Sequence, residues 1–324
     1  MTNTHSPIAE EDYPRTYQQF LEWFANDDAC RKYLLRCRWR DGFVCPQCGE
    51  RSDTWLTARG YLHCRLCGHQ SSATAGTIFE GTRYSLQTWF NAMWFVTSQK
   101  DGASALGLQR VLGFGSYQTA WAWLHKLRRA MIRPDRDRLK GRIEVDETYV
   151  GGCGKGGKRG RGAERKEIVI IAVELHSPKG FGRVRMRRIP NVSSDSLLPF
   201  ICDVTEKNSE ILTDGWSGYN GLDEMGYIHK RILLSNSGSP AHVSMPGVHR
   251  IAALLKRWLL STHQGSVSEK HLDYYLDEYT FRFNRRSSRS RGLLFYRLLQ
   301  QAVATLPVPY RSLVCNKPQS VEGT

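Results

Sequence analysis

The sequence predicts a mixed α/β protein of several domains, with a small cysteine-clasped module and a helical region ahead of an α/β sheet. Three observations predict it. Two Cys-x-x-Cys pairs, Cys45/Cys48 and Cys64/Cys67, sit near the start of the chain. Between Leu86 and Met131 apolar residues recur at helical spacing. From Gly141 the period shortens to two, and strand-like runs alternate with a helix. At 324 residues the chain also exceeds the ~250–300 at which single cores divide.

Composition narrows the function classes. Lys and Arg number 46 against 31 Asp and Glu, leaving a formal charge of +15 and a pI near 9.5. That balance calls for a polyanionic partner, and nucleic acid fits better than a membrane surface because no basic amphipathic anchor stands out. The apolar share of 40% and charged share of 24% argue against long disorder. The longest clean apolar run, Ile168 to Val173, is strand-sized, well short of the ~18 residues of a spanning helix. Met1 to Asp12 lacks the charged and apolar regions of a signal peptide, so a cytosolic location is expected.

Each segment has its own justification. Residues 1–40 form a helical lead-in, because Thr16 to Arg40 carries Phe20, Phe24, Cys30, Leu34 and Leu35 at helical spacing. Residues 41–75 form the cysteine module. Fifteen residues, Gly49 to His63, separate its two pairs, within the range of a four-thiolate zinc site. A glycine after each pair, Gly49 and Gly68, lets the chain turn with its amides toward sulfur. Four buried free thiols are the plainer alternative. His63 and His69 flank the second pair, but four cysteines already complete a tetrahedral shell. The other five cysteines, Cys30, Cys37, Cys153, Cys202 and Cys315, have no paired spacing and read as ordinary thiols.

Residues 76–140 read as a helix-turn-helix region. Leu86 to Ser98 and Ala103 to Leu112 are amphipathic, Gly113 to Ser116 supplies a turn with a Ser cap, and Tyr117 to Met131 resumes with Trp121, Leu124 and Leu127. The third helix runs into a basic stretch that includes Arg128, Arg129 and Arg133. It suits DNA phosphate contacts, and a plain bundle with a solvated basic face has the same pattern. Residues 141–305 read as an α/β domain, with 306–324 as a tail. Its strands are Arg142–Val150, Ile168–Leu175, about Val184–Ile189 and Glu210–Asp214, with a helix over Leu197–Val204. Strands, helix, strand, helix is an order in which the first and fourth strands can be neighbours. Asp146 and Asp214 would then stand at one level of adjacent strands, where two carboxylates can share divalent ions.

At these residues the chain resembles a known family. Cys45–Cys67, Thr77-Ile78-Phe79, Val145-Asp146-Glu147-Thr148-Tyr149-Val150-Gly151-Gly152, Thr213-Asp214-Gly215-Trp216-Ser217-Gly218-Tyr219, Leu254-Leu255-Lys256-Arg257 and Phe281-Arg282-Phe283-Asn284-Arg285-Arg286 resemble motifs of bacterial insertion-sequence transposases of the zinc-ribbon, DDE type. The likeness runs in order from about Tyr17 to Val303. It implies an RNase H-like catalytic domain, Asp146 and Asp214 as Mg²⁺ or Mn²⁺ ligands, and a third ligand on the helix bearing Leu-Leu-Lys-Arg. Seven residues before Lys256 the family has Glu, and this chain has His249. A neutral imidazole also ligates divalent ions, and seven residues of helix put His249 and Lys256 on one face. A structural histidine and an inactive core are the other readings of His249. Glu269 and Glu278, both further along the chain, are rival third acids.

The resemblance implies phosphodiester cleavage at transposon ends and strand transfer into target DNA, by a protein that is at least a dimer on DNA, in a bacterial cytoplasm and on its nucleoid. Three features extend the expected DNA track. The Gly-rich loop 151–162 lacks a P-loop's pattern, and its Lys155, Lys158, Arg159 and Arg161 read either as backbone contacts or as a solvated loop. Trp216 and Tyr219 read as a stacking platform for an unpaired base or as core aromatics. Arg257, Arg285 and Arg286 continue the basic track or solvate helix ends. Two other functions use the same residues: a non-catalytic zinc-ribbon DNA-binding regulator, and a metal-dependent nuclease that cuts without joining.

Overall fold

A computed structural model describes residues 7–133, 136–151, 166–176, 180–232, 244–263 and 267–314. Lys155, Lys158, Arg159, Arg161, Cys153 and Cys315 lie outside the described residues. Packing divides the chain into two units, Met1–Arg133 with Ser288–Thr324, and Pro134–Ser287. The second boundary differs from the one expected at 305.

In the first unit, α1 (Tyr17–Trp23) and α2 (Asp27–Arg38) precede a three-stranded antiparallel sheet of β1 (Thr54–Leu56), β2 (Leu62–Cys64) and β3 (Gln70–Ser71). Then come α3 (Leu86–Ser98), α4 (Ala105–Leu112) and α5 (Tyr117–Ala130). Each of these five helices begins on a side chain that accepts from its own first turn: Thr16, Asn26, Ser85, Ser104 and Ser116. Gly113, left-handed at φ 65°, ends α4 and turns the chain into α5, as the sequence led one to expect. Trp89 and Trp123 stack with ring centroids 3.5 Å apart.

The surprise lies at the far end of the chain. Helix α9 (Arg291–Ala304) belongs to the first unit, and its Phe295 sits within 5.6 Å of the rings of Phe20, Phe24 and Phe90. Gly292 permits the approach, since a Cβ there would lie 1.5 Å from the Pro14 carbonyl oxygen. A short α10 (Tyr310–Val314) follows. Nothing in the local pattern of 291–304 says which of two apolar cores its buried face will join, and this is why the boundary was misplaced.

The second unit is a five-stranded mixed sheet. Its strands are β4 (Arg142–Val150), β5 (Glu167–Leu175), β6 (Phe181–Ile189), β7 (Glu210–Asp214) and β8 (Ile228–Ile232), in the order β6-β5-β4-β7-β8. β6, β5 and β4 are antiparallel, while β4, β7 and β8 run parallel. Helix α6 (Ser194–Val204) follows β6 and returns the chain to β7, so the first and fourth strands are indeed neighbours. Helices α7 (Pro246–His263) and α8 (Glu269–Asn284) complete the unit.

Alternation along the strands sorts two cores. Val169, Ile171, Val173 and Val150 face Val248, Ile251, Leu255 and Leu276 of α7 and α8. Ile143, Val145, Ile170, Ala172 and Ile211 face Leu197, Phe200 and Ile201 of α6 on the other side. β8, with the sequence Ile-His-Lys-Arg-Ile, is an edge strand and has no apolar alternation, so the sequence pattern did not disclose it.

Candidate active site and zinc ribbon

The ribbon is built by two matching knuckles. In the first, Gly49 donates to the Cys45 carbonyl at 2.9 Å and Cys45 to that of Glu50 at 3.0 Å; in the second, Gly68 donates to Cys64 at 3.0 Å and Cys64 to His69 at 2.9 Å. Both glycines are left-handed, at φ 74° and 75°, where any other residue would be strained. The knuckles gather all four Sγ atoms within 4.8 Å of one another, with Cys45–Cys67 at 3.6 Å and Cys48–Cys64 at 3.9 Å. Four sulfurs bound at about 2.3 Å to one tetrahedral ion would stand about 3.8 Å apart, so the residues fit zinc. The Ser52 hydroxyl, then the Cys67 amide, pulls the Cys64 thiol down to about 6, toward the thiolate that metal binding requires. His63 is no ligand: its ring stacks on Trp55 at 4.0 Å.

In the second unit the strand register carries the argument. β4 pairs with β7 as Arg142↔Glu210, Ile143↔Ile211 and Glu144↔Leu212, a constant offset of 68 residues. The pairing ends there, two residues short of Asp146 on β4 and of Asp214 at the C-terminal end of β7, and the two aspartates are separated by the same 68 residues. The Glu147 amide donates to Asp146 Oδ1 at 2.9 Å, and the Trp216 amide to Asp214 Oδ1 at 3.0 Å. Each aspartate thus has one oxygen tethered to a backbone amide one or two residues on.

His249, in the first turns of α7, reaches the same place. Its Nε2 lies 3.9 Å from Asp146 Oδ2, beyond a hydrogen bond and within the span of two donors each about 2.1 Å from a shared ion. That spacing of Asp146 and the imidazole fits two donors to one divalent cation. The site is more open than the ribbon: among the described residues, the four cysteines are the one group gathered closely enough to register as a metal cluster. The rival acids are occupied elsewhere. Glu278 is 1% exposed and accepts from Arg282 at 2.7 Å, while Glu269 pairs with Arg188 at 2.9 Å. Partial burial, followed by the charge of Lys166, holds the Lys256 amine below its ordinary range.

Several expected DNA contacts are placed differently. Tyr219 is fully buried, and its hydroxyl donates to Glu147 Oε2 at 3.2 Å, so it offers no stacking face. Burial first, then the charges of Glu147, Asp146 and Asp214, push its phenol well above the ordinary range and keep it neutral. Trp216 is half-buried, its indole N–H donating to the Val192 carbonyl at 2.8 Å. Arg128 is buried at 3% exposure, because the inward face of α5 runs through it, whereas Arg129 and Arg133 are exposed. Arg286 donates to the carbonyls of Phe181, Gly182 and Phe283 and so staples α8 to β6. Arg285 lies over the Phe281 ring at 4.1 Å, and Arg257 is exposed. Sequence reasoning passed over Glu144, a buried carboxylate two residues before Asp146 on the same strand face.

A mixed sheet ordered in this way, with Asp146 on its central strand and Asp214 at the end of the neighbouring parallel strand, is consistent with the RNase H-like class, here combined with a zinc ribbon. The chain matches the ISXO2-like transposase domain over residues 138–284 and the transposase zinc-ribbon domain over residues 25–70. It is 26% identical over 284 residues to an uncharacterized protein in transposable element ISH50 of Halobacterium salinarum, covering 81% of this chain and 92% of that protein. An uncharacterized transposase-like protein of Haemophilus influenzae is 29% identical over 112 residues, 35% of this chain and 89% of that protein. Both matches are to transposase domains, and they follow one another in the chain as ribbon and then DDE-type domain, so each of these two stretches is similar to a transposase of the insertion-sequence type. Among the described residues no helix is long and apolar enough to cross a membrane.

Proposed function

We propose that the protein cuts DNA at transposon ends and joins those ends to target DNA, with Asp146, Asp214 and His249 holding Mg²⁺ or Mn²⁺. One observation carries this reading: the imidazole of α7 comes within 3.9 Å of Asp146, on the strand that pairs in parallel with the strand ending in Asp214. Bound Mg²⁺ or Mn²⁺ supplies Lewis acidity toward the attacking and departing oxygens of an in-line displacement. The hydrogen bonds to their Oδ1 atoms keep both aspartates oriented. Tyr219, held neutral, donates to Glu147 and braces the β4 end of the site. Lys256 on the His249 face of α7, with Lys166 nearby, supplies positive charge for the scissile phosphate.

In cleavage, water attacks phosphorus, its proton passes to solvent, and the transposon-end 3′-oxygen leaves. In strand transfer that 3′-hydroxyl attacks a target phosphodiester and a target 3′-oxygen leaves. One P–O bond forms as one breaks, so no covalent protein intermediate is needed. Exposed Arg129, Arg133 and Arg257 and the basic loop around Lys155, Lys158, Arg159 and Arg161 are assigned to the DNA backbone, in an assembly of at least two copies.

The test supplies purified protein with duplexes carrying the flanking terminal repeats and either ion, and sequences the products. Joined strands support the proposal. Cuts alone make the protein a nuclease, and retarded but intact DNA makes it a regulator.

A further inference from the structure

Glu144 is 1% exposed, in a sheet whose neighbouring positions are apolar. Burying a carboxylate is costly unless donors surround it. Here the donors come from α7. The Val248 amide donates to Glu144 Oε2 at 2.9 Å, and the Gly247 amide also points to the carboxylate. These are helix N-terminal amides without intrahelical partners, and the adjacent residue is His249. Gly247 is fitted to the contact: a Cβ there would stand 2.7 Å from Glu144 Oε2, 3.0 Å from Leu175 Cδ2 and 3.1 Å from Val173 Cγ1. Glu144 and Asp146 share one face of β4, so one strand grips residues 247–248 with its first acid and meets residue 249 with its second.

We propose that Glu144 is a positioning residue that clamps the start of α7 and so fixes the His249 imidazole over Asp146 for a divalent ion. The inference rests on the metal-site reading above. It assigns Glu144 no ligation, and its effect should pass entirely through His249.

The test measures Mn²⁺ binding to the full-length protein from the paramagnetic resonance signal of free Mn²⁺, with zinc content and thermal unfolding as controls for folding. Glu144→Ala should weaken Mn²⁺ about ten-fold or more, the range found for residues that orient a metal ligand. Glu144→Gln, which keeps an acceptor for the Val248 amide, should recover most of that loss. In a His249→Ala background, Glu144→Ala should weaken binding no further. Gly247→Ala, which keeps the carboxylate but forces the clamp apart, should reproduce the loss and decides the matter if Glu144→Ala does not fold. Wild-type affinity in Glu144→Ala, or in Gly247→Ala in its place, overturns the proposal, as do multiplied effects in the double variant, which would make Glu144 a ligand itself. If Asp146→Asn and His249→Ala also bind as wild type, the metal-site reading has failed; if they bind weakly while Glu144→Ala does not, only the clamp has failed.

Discussion

At position 249 an imidazole meets Asp146 where the family pattern has a carboxylate, and this changes the expected metal preference. Nitrogen ligation favours Mn²⁺ over Mg²⁺ relative to an all-oxygen site, so the ratio of cleavage in Mn²⁺ to that in Mg²⁺ should fall in His249→Glu. His249→Ala should lose most cleavage with either ion. Asp146→Asn and Asp214→Asn keep size and remove charge, so cleavage on terminal-repeat DNA should vanish while affinity in a gel-shift assay stays within several-fold. The neighbouring strands that carry the two aspartates were legible in the sequence, and the 68-residue spacing of the aspartates equals the register offset of those strands. Arg128 and Tyr219 were not, since a residue's type does not record which face of its element is buried. Glu144 escaped for a related reason: its partners are backbone amides some hundred residues away, which no side-chain pattern announces.

Among elements, the ribbon makes the plainest commitment. Freshly purified protein should hold about one zinc per chain by elemental analysis, and Cys45→Ser should lower that content and expose residues 45–67 to proteolysis. The β5–β6 pair offers a pH test. Glu174 on β5 accepts from the Lys140 and Arg183 amides and from the Arg183 guanidinium at 2.7 Å. Burial raises its carboxyl, but Arg183 and the amides outweigh burial, so it ends below the ordinary range. A depressed acid contributes stability that is complete above its unfolded value, about 4.3, and is lost as pH falls through the lower folded one. The gap in melting temperature between wild type and Glu174→Gln should therefore be full near neutrality and close below about pH 4. The Ser116 cap and the buried strand over 168–173 could be read from the sequence, since both act locally, whereas the Ser85 and Ser104 caps were passed over. β8 is defined by its neighbour β7, which local pattern cannot convey.

Across the whole molecule, the decisive feature is that the first unit is discontinuous in sequence. Phe295 is fully buried among Phe20, Phe24 and Phe90, so Phe295→Ala should cost about 3–5 kcal/mol, read as early melting of that unit while the second unit keeps its transition. Gly292→Ala should act in the same direction, because the Pro14 carbonyl must move. The same discontinuity imposes an order in time. A ribosome adding roughly 5–20 residues per second releases every strand of the sheet, with Asp146, Asp214 and His249, before it releases α9. Phe295, the last ring of the first unit's aromatic cluster, is thus made after the whole of the second unit. A message that breaks between the codons for Asn284 and Phe295 yields a product carrying every candidate ligand and no finished first unit. Decay at the 3′ end of such a gene would silence the element through folding, long before any residue of its chemistry was touched.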